Sequence, residues 1–231
     1  MNPYRHLFFD LDHTLWDYDR NVKESLDELF DVYSLHSLGV PTFQDFFEAF
    51  NQVNFKLWSL YNHGKIDKSF LRKERFKRIF EHLGTDGLAV PLEMEEDFMS
   101  RTSFKPHLFP HSIETLAYLQ QKYQLHIITN GFDESQALKM ASSGLTSYFH
   151  LIVTSETTGL RKPDKRIFEY AIEKLNTVSS ACLMVGDNPE SDIIGAKNAQ
   201  IDQVLFNPLG IPCTLNPTYT ITCLSELKTF L

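Results

Sequence analysis

Hydrophobic residues change their spacing along this 231-residue chain, and the change predicts two kinds of structure. A short apolar run that ends at Phe9 predicts a buried strand over residues 7–10. From about residue 16 to residue 105, apolar side chains instead recur every three or four positions, as at Phe76, Ile79 and Phe80. This spacing predicts helices and no convincing strand, with most of the aromatic side chains in the core.

Beyond residue 105, predicted strands and helices alternate. The predicted strands cover residues 125–129, 151–154, 181–185 and 204–206. The predicted helices cover residues 133–143, which Asp133 is expected to cap, 164–175 and 191–199. Such alternation implies an α/β fold, with a parallel Rossmann-like sheet flanked by helices. Residues 1–15 and 106–231 then form an α/β core, and residues 16–105 form a helical cap inserted after the first strand.

Composition and charge narrow the classes of partner. The formal net charge is −8 and no basic run interleaves with aromatic residues, which argues against a nucleic-acid polymer as partner. An acidic protein that handles anions needs local positive charge from a metal ion or a well-placed basic side chain. No stretch reaches the roughly 18 apolar residues of a membrane span. Three scattered cysteines and the lack of an apolar signal segment predict a cytoplasmic protein.

Two aspartates, Asp10 and Asp12, follow the apolar run of the first predicted strand. In an open parallel sheet, chemistry takes place beyond the carboxyl ends of the strands, where these acids would stand. Carboxylates this close repel each other and need a proton or a cation between them. The pair therefore indicates a metal site, a nucleophile with an acid/base partner, or both. On their own, the two acids support a purely structural role, as a strand end and a cap, about as well as they support a functional one.

Three later segments add candidate polar groups to the same edge. Thr129, Asn130 and Gly131 end a predicted strand, where a glycine turn, a hydroxyl and an amide can converge on an anion. Lys162 precedes a predicted helix and is either a phosphate ligand or a solvated lysine. Asp187 follows another apolar strand, so that Asp10 and Asp187 could share a magnesium ion.

The role of Asp192 is open on this reasoning. It stands five residues after Asp187, within the predicted helix 191–199. An acid in the first turn is favoured by the helix dipole alone. Equally, the carboxylate could hold water bound to the metal ion.

Together these segments resemble the haloacid dehalogenase superfamily of phosphotransferases over the whole chain, including the inserted helical cap. The resemblance implies that Asp10 is the nucleophile and forms an aspartyl-phosphate, while Asp12 acts first as acid and then as base. Thr129 and Asn130 would orient the phosphoryl group, and Lys162 would offset its charge. Magnesium would be held by Asp10, the backbone carbonyl of Asp12 and Asp187, with support from Asp192. Dehalogenating members lack the second acid, so its presence favours phosphomonoester hydrolysis.

A narrower similarity concerns the substrate. The segment Asn130-Gly131-Phe132 and residues 155–163 resemble the pyrimidine 5'-nucleotidase branch, often described as house-cleaning nucleotidases. This implies a nucleoside 5'-monophosphate substrate. The alternative is a phosphosugar phosphatase or mutase, and the presence of every acid and the lysine argues against a non-catalytic binding module. Cap residues would select the base, the candidates being Trp16, Tyr18, Trp58, Tyr61, Asn62 and His63. The oligomeric state is not predicted.

Overall fold

The structure is a computed structural model that describes residues 3–85 and 90–231. It divides into two compact units. One unit consists of the residues up to Tyr18 together with Lys105–Leu231, and the other is Asp19–Phe104. Within the described ranges, no helix is long and apolar enough to cross a membrane.

The unit Asp19–Phe104 is helical, with no strand among its described residues. Its helices, the first of which begins one residue earlier, are α1 Tyr18–Val32, a 3-10 turn Leu35–Leu38, α2 Phe43–Asn62, α3 Lys68–His82 and α4 Met94–Ser103. Thr42 and Asp67 cap α2 and α3, because their side chains accept hydrogen bonds from backbone amides three residues on. The predicted aromatic core is confirmed by contacts among Phe50, Phe76 and Phe98.

The other unit contains a sheet of six parallel strands in the order β3-β2-β1-β4-β5-β6. The strands are β1 His6–Phe9, β2 Gln124–Thr129, β3 Phe149–Thr154, β4 Cys182–Gly186, β5 Asp202–Phe206 and β6 Tyr219–Ile221. The predicted α/β class is confirmed. Because the chain reverses its direction of strand addition at β1, a crevice opens beyond the carboxyl ends of β1 and its neighbours β2 and β4.

Helices cover both faces of this sheet. They are α5 Ser112–Leu119, α6 Asp133–Ser142, α7 Ser155–Thr158, α8 Lys165–Lys174 and α9 Gly195–Asn198, with a π-helix at Pro189–Ile194. Strand β1 is buried on both sides: Phe9 packs in one core cluster and Phe8 in the other. This follows from the alternation of side chains along a strand, and it holds the residues after β1 in a fixed place.

The sequence reasoning was wrong at two helix starts. Asp133 does not cap α6: the N-cap residue is Phe132, and the Asp133 carboxylate instead accepts a hydrogen bond from the Thr154 hydroxyl. The helix predicted over 191–199 begins at Pro189, since the Asn188 side chain accepts hydrogen bonds from the backbone amides of Glu190 and Ser191. It is also two elements, the π-helix followed by α9. The sequence reasoning missed α5, α7 and β6.

Candidate active site

Four site residues lie at the carboxyl edge of the three central strands. Asp10 and Asp12 follow β1, Thr129 ends β2, and Asp187 follows β4. Because β1 lies between β2 and β4, residues that are far apart in sequence meet at one edge of the sheet.

Lys162 lies at the centre of this group. Its Nζ is 2.7 Å from Asp10 Oδ1 and 2.6 Å from Asp192 Oδ1. The lysine is 1% exposed and Asp192 is fully buried, so the solvated alternative for Lys162 is wrong. Burial lowers the pKa of Lys162, but the carboxylates of Asp10 and Asp192 outweigh it and raise the pKa above its ordinary value. Lys162 is therefore a permanent positive charge inside the site.

Asn130 fixes the backbone that carries Lys162. The Asn130 Nδ2 donates a hydrogen bond to the Lys162 carbonyl at 2.9 Å, and its Oδ1 accepts one from the Lys162 amide at 2.7 Å. The Ser155 hydroxyl in turn donates to the Asn130 carbonyl at 3.0 Å. The Asn130 side chain thus joins the end of β2 to the segment before α8, a positioning role that the sequence reasoning missed.

Asp10, Asp187 and Asp192 bring one oxygen each within 4.8 Å of one another. Their approach depends on Gly186, because a Cβ there would lie 2.3 Å from Asp192 Oδ2. Burial, with the charges of Asp192 and Asp12, raises the pKa of Asp10 to about 7, although Lys162 lowers it. Burial and the charges of Asp192 and Asp10 also raise the pKa of Asp187 well above its ordinary value. The group is therefore short of positive charge.

The charge balance fits a divalent cation. The site contains four carboxylates, those of Asp10, Asp12, Asp187 and Asp192, but only two lysines, Lys139 and Lys162, which pair with Asp10, Asp12 and Asp192. Full ionisation would leave two negative charges without a partner. Magnesium binds carboxylate oxygens in such sites and retains several waters. The acidic trio thus meets the requirement for the predicted cofactor.

Asp12 has separate partners. Lys139 Nζ lies 2.6 Å from Asp12 Oδ1, and Gln136 Nε2 donates to Asp12 Oδ2 at 2.9 Å. Burial raises the pKa of Asp12, but the Lys139 charge and the two hydrogen bonds outweigh it and lower the pKa below its ordinary value. Sequence reasoning missed both partners. Their spacing on α6, three residues apart, places them on one helix face but does not say what that face meets.

Thr129 and Gly131 lie against the Gln136 side chain, which contacts Asp12. Thr129 is buried, and its hydroxyl accepts a hydrogen bond from the Gly131 amide at 3.1 Å. Gly131 lies in the bend between β2 and α6, where a glycine turn was expected, but its backbone is not in the left-handed region. Instead, a Cβ at this position would lie 1.6 Å from Gln136 Nε2. The glycine is needed because the Gln136 side chain passes over it on its way to Asp12.

These features define an α/β protein whose site joins two carboxylates on one loop, a buried lysine and a candidate cation site of three aspartates. Residues 4–200 match the haloacid dehalogenase-like hydrolases, and the chain belongs to that family. It is therefore an enzyme, a phosphatase of this family.

The chain is similar along nearly its whole length to known phosphatases. It is 34% identical to the pyrimidine 5'-nucleotidase YjjG of Escherichia coli (strain K12), over 97% of this chain and 96% of that protein. It is 31% identical to the pyrimidine 5'-nucleotidase PynA of Streptococcus pneumoniae, over 97% and 93%. A ribulose-1,5-bisphosphate 5-phosphatase of Halopiger xanaduensis is also 31% identical, over 87% and 84%.

One solved structure is also similar to the chain along nearly its whole length. The HAD-hydrolase YfnB of Bacillus subtilis, in a magnesium-bound crystal form, matches with a TM-score of 0.87 at 28% identity. The match covers 98% of this chain and 97% of YfnB.

Proposed function

We propose that this phosphatase is a magnesium-dependent nucleoside 5'-monophosphate phosphatase that prefers pyrimidines and acts through an aspartyl-phosphate. The observation that carries the proposal is the placement of Lys162 between Asp10 and Asp192, with Asp12 two residues beyond Asp10. Asp10 then has a charge partner that can also meet a phosphoryl oxygen.

In the first step, an Asp10 carboxylate oxygen attacks phosphorus, and the bond from phosphorus to the leaving oxygen breaks. Asp12 gives the leaving alkoxide its proton. In the free protein burial raises the pKa of Asp12, but the Lys139 charge and the hydrogen bonds from Lys139 and Gln136 lower it below its ordinary value. Protonation of Asp12 must therefore accompany substrate binding, because the phosphoryl charge beside it favours the neutral acid.

In the second step, the ionised Asp12 removes a proton from water, and the water oxygen attacks phosphorus. The bond to Asp10 breaks, which restores the Asp10 carboxylate and releases phosphate. Lys162 offsets charge on the transferring oxygens, and Thr129 orients the phosphoryl group with the backbone that follows it. Asn130 contributes by holding the Lys162 backbone in place.

Magnesium, when bound, supplies positive charge near the transferring phosphoryl group. Asp10, Asp187 and the backbone carbonyl of Asp12 would hold it, with Asp192 beside them. Free cysteines at Cys182, Cys213 and Cys223 are consistent with the reducing cytoplasm that we propose as its location.

The nucleotide preference rests on YjjG and PynA, which are pyrimidine 5'-nucleotidases, and on the segment Asn130-Gly131-Phe132. The test is a panel of nucleoside monophosphates and sugar phosphates at saturating magnesium, with phosphate release as the measurement. We expect kcat/KM to be highest for pyrimidine monophosphates, with deoxyuridine and thymidine monophosphates first. The similarity to the ribulose-1,5-bisphosphate 5-phosphatase of Halopiger xanaduensis supports a phosphosugar as the second candidate substrate. A sugar phosphate that exceeds every nucleotide by tenfold would establish that candidate instead.

The alternative function also includes a phosphosugar mutase. A mutase passes the phosphoryl group to a second sugar hydroxyl, whereas a phosphatase passes it to water. We expect one phosphate to be released for each substrate consumed. Isomerised sugar phosphate without free phosphate would contradict the hydrolase mechanism.

A further inference from the structure

Lys139 is buried in contact with Asp12 although no motif includes it. The residue is 6% exposed, and its Nζ lies 2.6 Å from Asp12 Oδ1. The same Nζ lies 4.3 Å from the centre of a Trp16 ring, which is fully buried. The Trp16 Nε1 donates a hydrogen bond to the Lys105 carbonyl at 3.0 Å, which fixes the indole. An ammonium group over a fixed aromatic face has little freedom to move away.

Gln136 completes the arrangement from the same helix. Its Nε2 donates to Asp12 Oδ2 at 2.9 Å and lies 3.5 Å from Thr129 Oγ1. Each oxygen of Asp12 therefore has a donor of its own, and both donors come from α6. The terminal torsion of an aspartate is broad, so a carboxylate without such donors can rotate freely.

We propose that Lys139 and Gln136 are positioning residues that clamp the Asp12 carboxylate in the orientation required for proton transfer to the leaving group. This inference rests on the proposed role of Asp12 in phosphoryl transfer. A lysine that served only packing would need no carboxylate partner, and an apolar side chain of similar length would fill the space over Trp16. The observed geometry instead gives each Asp12 oxygen one fixed direction.

The kinetic test compares Lys139→Met with Lys122→Met. Lys122 is the matched control, because its Nζ also lies 4.3 Å from an aromatic ring centre, that of Tyr118, but contacts no site residue. Substrates are p-nitrophenyl phosphate, whose leaving group needs no proton, and an alkyl phosphate, whose leaving group does. We expect Lys139→Met to lower the rate of the phosphorylation step for the alkyl phosphate at least about tenfold more than for the aryl phosphate. Lys122→Met should leave both rates unchanged.

A double-mutant cycle then separates positioning from packing. In an Asp12→Asn background, Lys139→Met should lower the rate for the alkyl phosphate little further, because the carboxyl group that Lys139 positions is already absent. Lys139→Arg, which keeps the charge, should recover part of the alkyl rate. Equal losses for both substrates, or losses that add to those of Asp12→Asn, would overturn the inference.

A structural measurement makes the inference independent of turnover. In a crystal structure of the Lys139→Met/Gln136→Met double variant, we expect the Asp12 carboxylate to rotate or to occupy more than one orientation. An unchanged single orientation would overturn the clamp. If the wild type hydrolyses no phosphomonoester, the proposed function fails by itself, and this crystallographic comparison still decides the clamp.

Discussion

Single side chains set the protonation states on which this site depends. Asp10 is buried beside Asp12 and Asp192, and burial together with these charges raises its pKa to about 7. Lys162 opposes that shift, and a bound cation would oppose it further. The proposed nucleophile thus lies in an environment that favours its ionised form only when enough positive charge is present.

The first prediction concerns Asp10→Asn. The amide keeps the shape of the side chain but has no anionic oxygen, so kcat should fall by at least about a thousandfold. Lys162 keeps Asp192 as a partner at 2.6 Å, so the fold should survive. Steady-state turnover and the circular dichroism spectrum measure the two effects. A variant that is folded and retains a tenth of the wild-type rate would exclude Asp10 as nucleophile.

A second prediction concerns His126 on β2, which is fully buried. Its Nε2 lies 3.1 Å from His6 Nδ1, and its own Nδ1 has no hydrogen-bond partner. Burial and the neighbouring His6 and His150 lower the pKa of His126 to about 3. Below pH 6.5 the unfolded chain binds a proton that the folded His126 does not. Its contribution to stability is therefore present above pH 6.5 and lost as the pH falls towards 3.

Unfolding by urea between pH 7 and pH 4 measures this effect. His126→Asn should reduce the loss of the free energy of unfolding by up to about 1.4 kcal/mol for each pH unit below 6.5. The control is His150→Asn, since His150 is exposed at the far end of the same group of imidazoles and should leave the wild-type slope nearly intact. Parallel slopes for wild type and His126→Asn would contradict the prediction.

Helix α6 follows the end of β2 and contacts Asp12, the proposed acid and base, through Gln136 and Lys139. Its Gln136 side chain occupies the space that a Cβ at Gly131 would need, as the 1.6 Å separation shows. The helix can therefore deliver Gln136 and Lys139 to Asp12 only if residue 131 has no side chain. The hydrogen bond between Gln136 and Asp12 thus depends on this glycine.

The third prediction follows from that close approach. Gly131→Ala should displace Gln136, break its 2.9 Å hydrogen bond to Asp12 and lower kcat for alkyl phosphates. Gln136→Ala removes the obstacle, so the double variant Gly131→Ala/Gln136→Ala should be no slower than Gln136→Ala alone. Rates of alkyl phosphate hydrolysis for the three variants measure this. Additive losses would place the role of Gly131 in its backbone conformation instead.

The order of the strands brings the acidic trio together. Asp10 comes from the end of β1 and Asp187 from the end of its neighbour β4, while Asp192 returns from the π-helix that follows. Their oxygens meet within 4.8 Å only because these elements are adjacent in the sheet. The proposed cation site is therefore a property of the folded α/β unit.

The fourth prediction concerns metal removal. A chelator should abolish phosphatase activity, and added magnesium should restore it. Calcium should restore little, because its larger and more flexible shell does not hold the reacting groups in the same geometry. Magnesium should also raise the unfolding temperature of the wild type but not that of Asp187→Asn. Full activity in excess chelator would exclude the metal role proposed for Asp10 and Asp187.

The sequence by itself determined the class of fold and the identity of the principal charged residues. Spacing of apolar residues is a local signal, so it predicted a helical segment from about residue 16 to residue 105 and five of the six strands. It also separated Asp10 and Asp187 from other acids, because each directly follows a buried strand. Short elements with weak apolar patterns, such as β6, gave no comparable signal.

Only the tertiary structure decided which polar groups pair. Lys162 could have been a solvated lysine, and burial between Asp10 and Asp192 excludes that alternative. The sequence does not distinguish Lys139 and Gln136 from other polar residues, since polar residues three positions apart are common on helices. Their role arises from the packing of α6 beside the loop after β1, which brings residues more than a hundred positions apart into contact. Such pairing depends on distance in the fold, and spacing along the chain does not encode it.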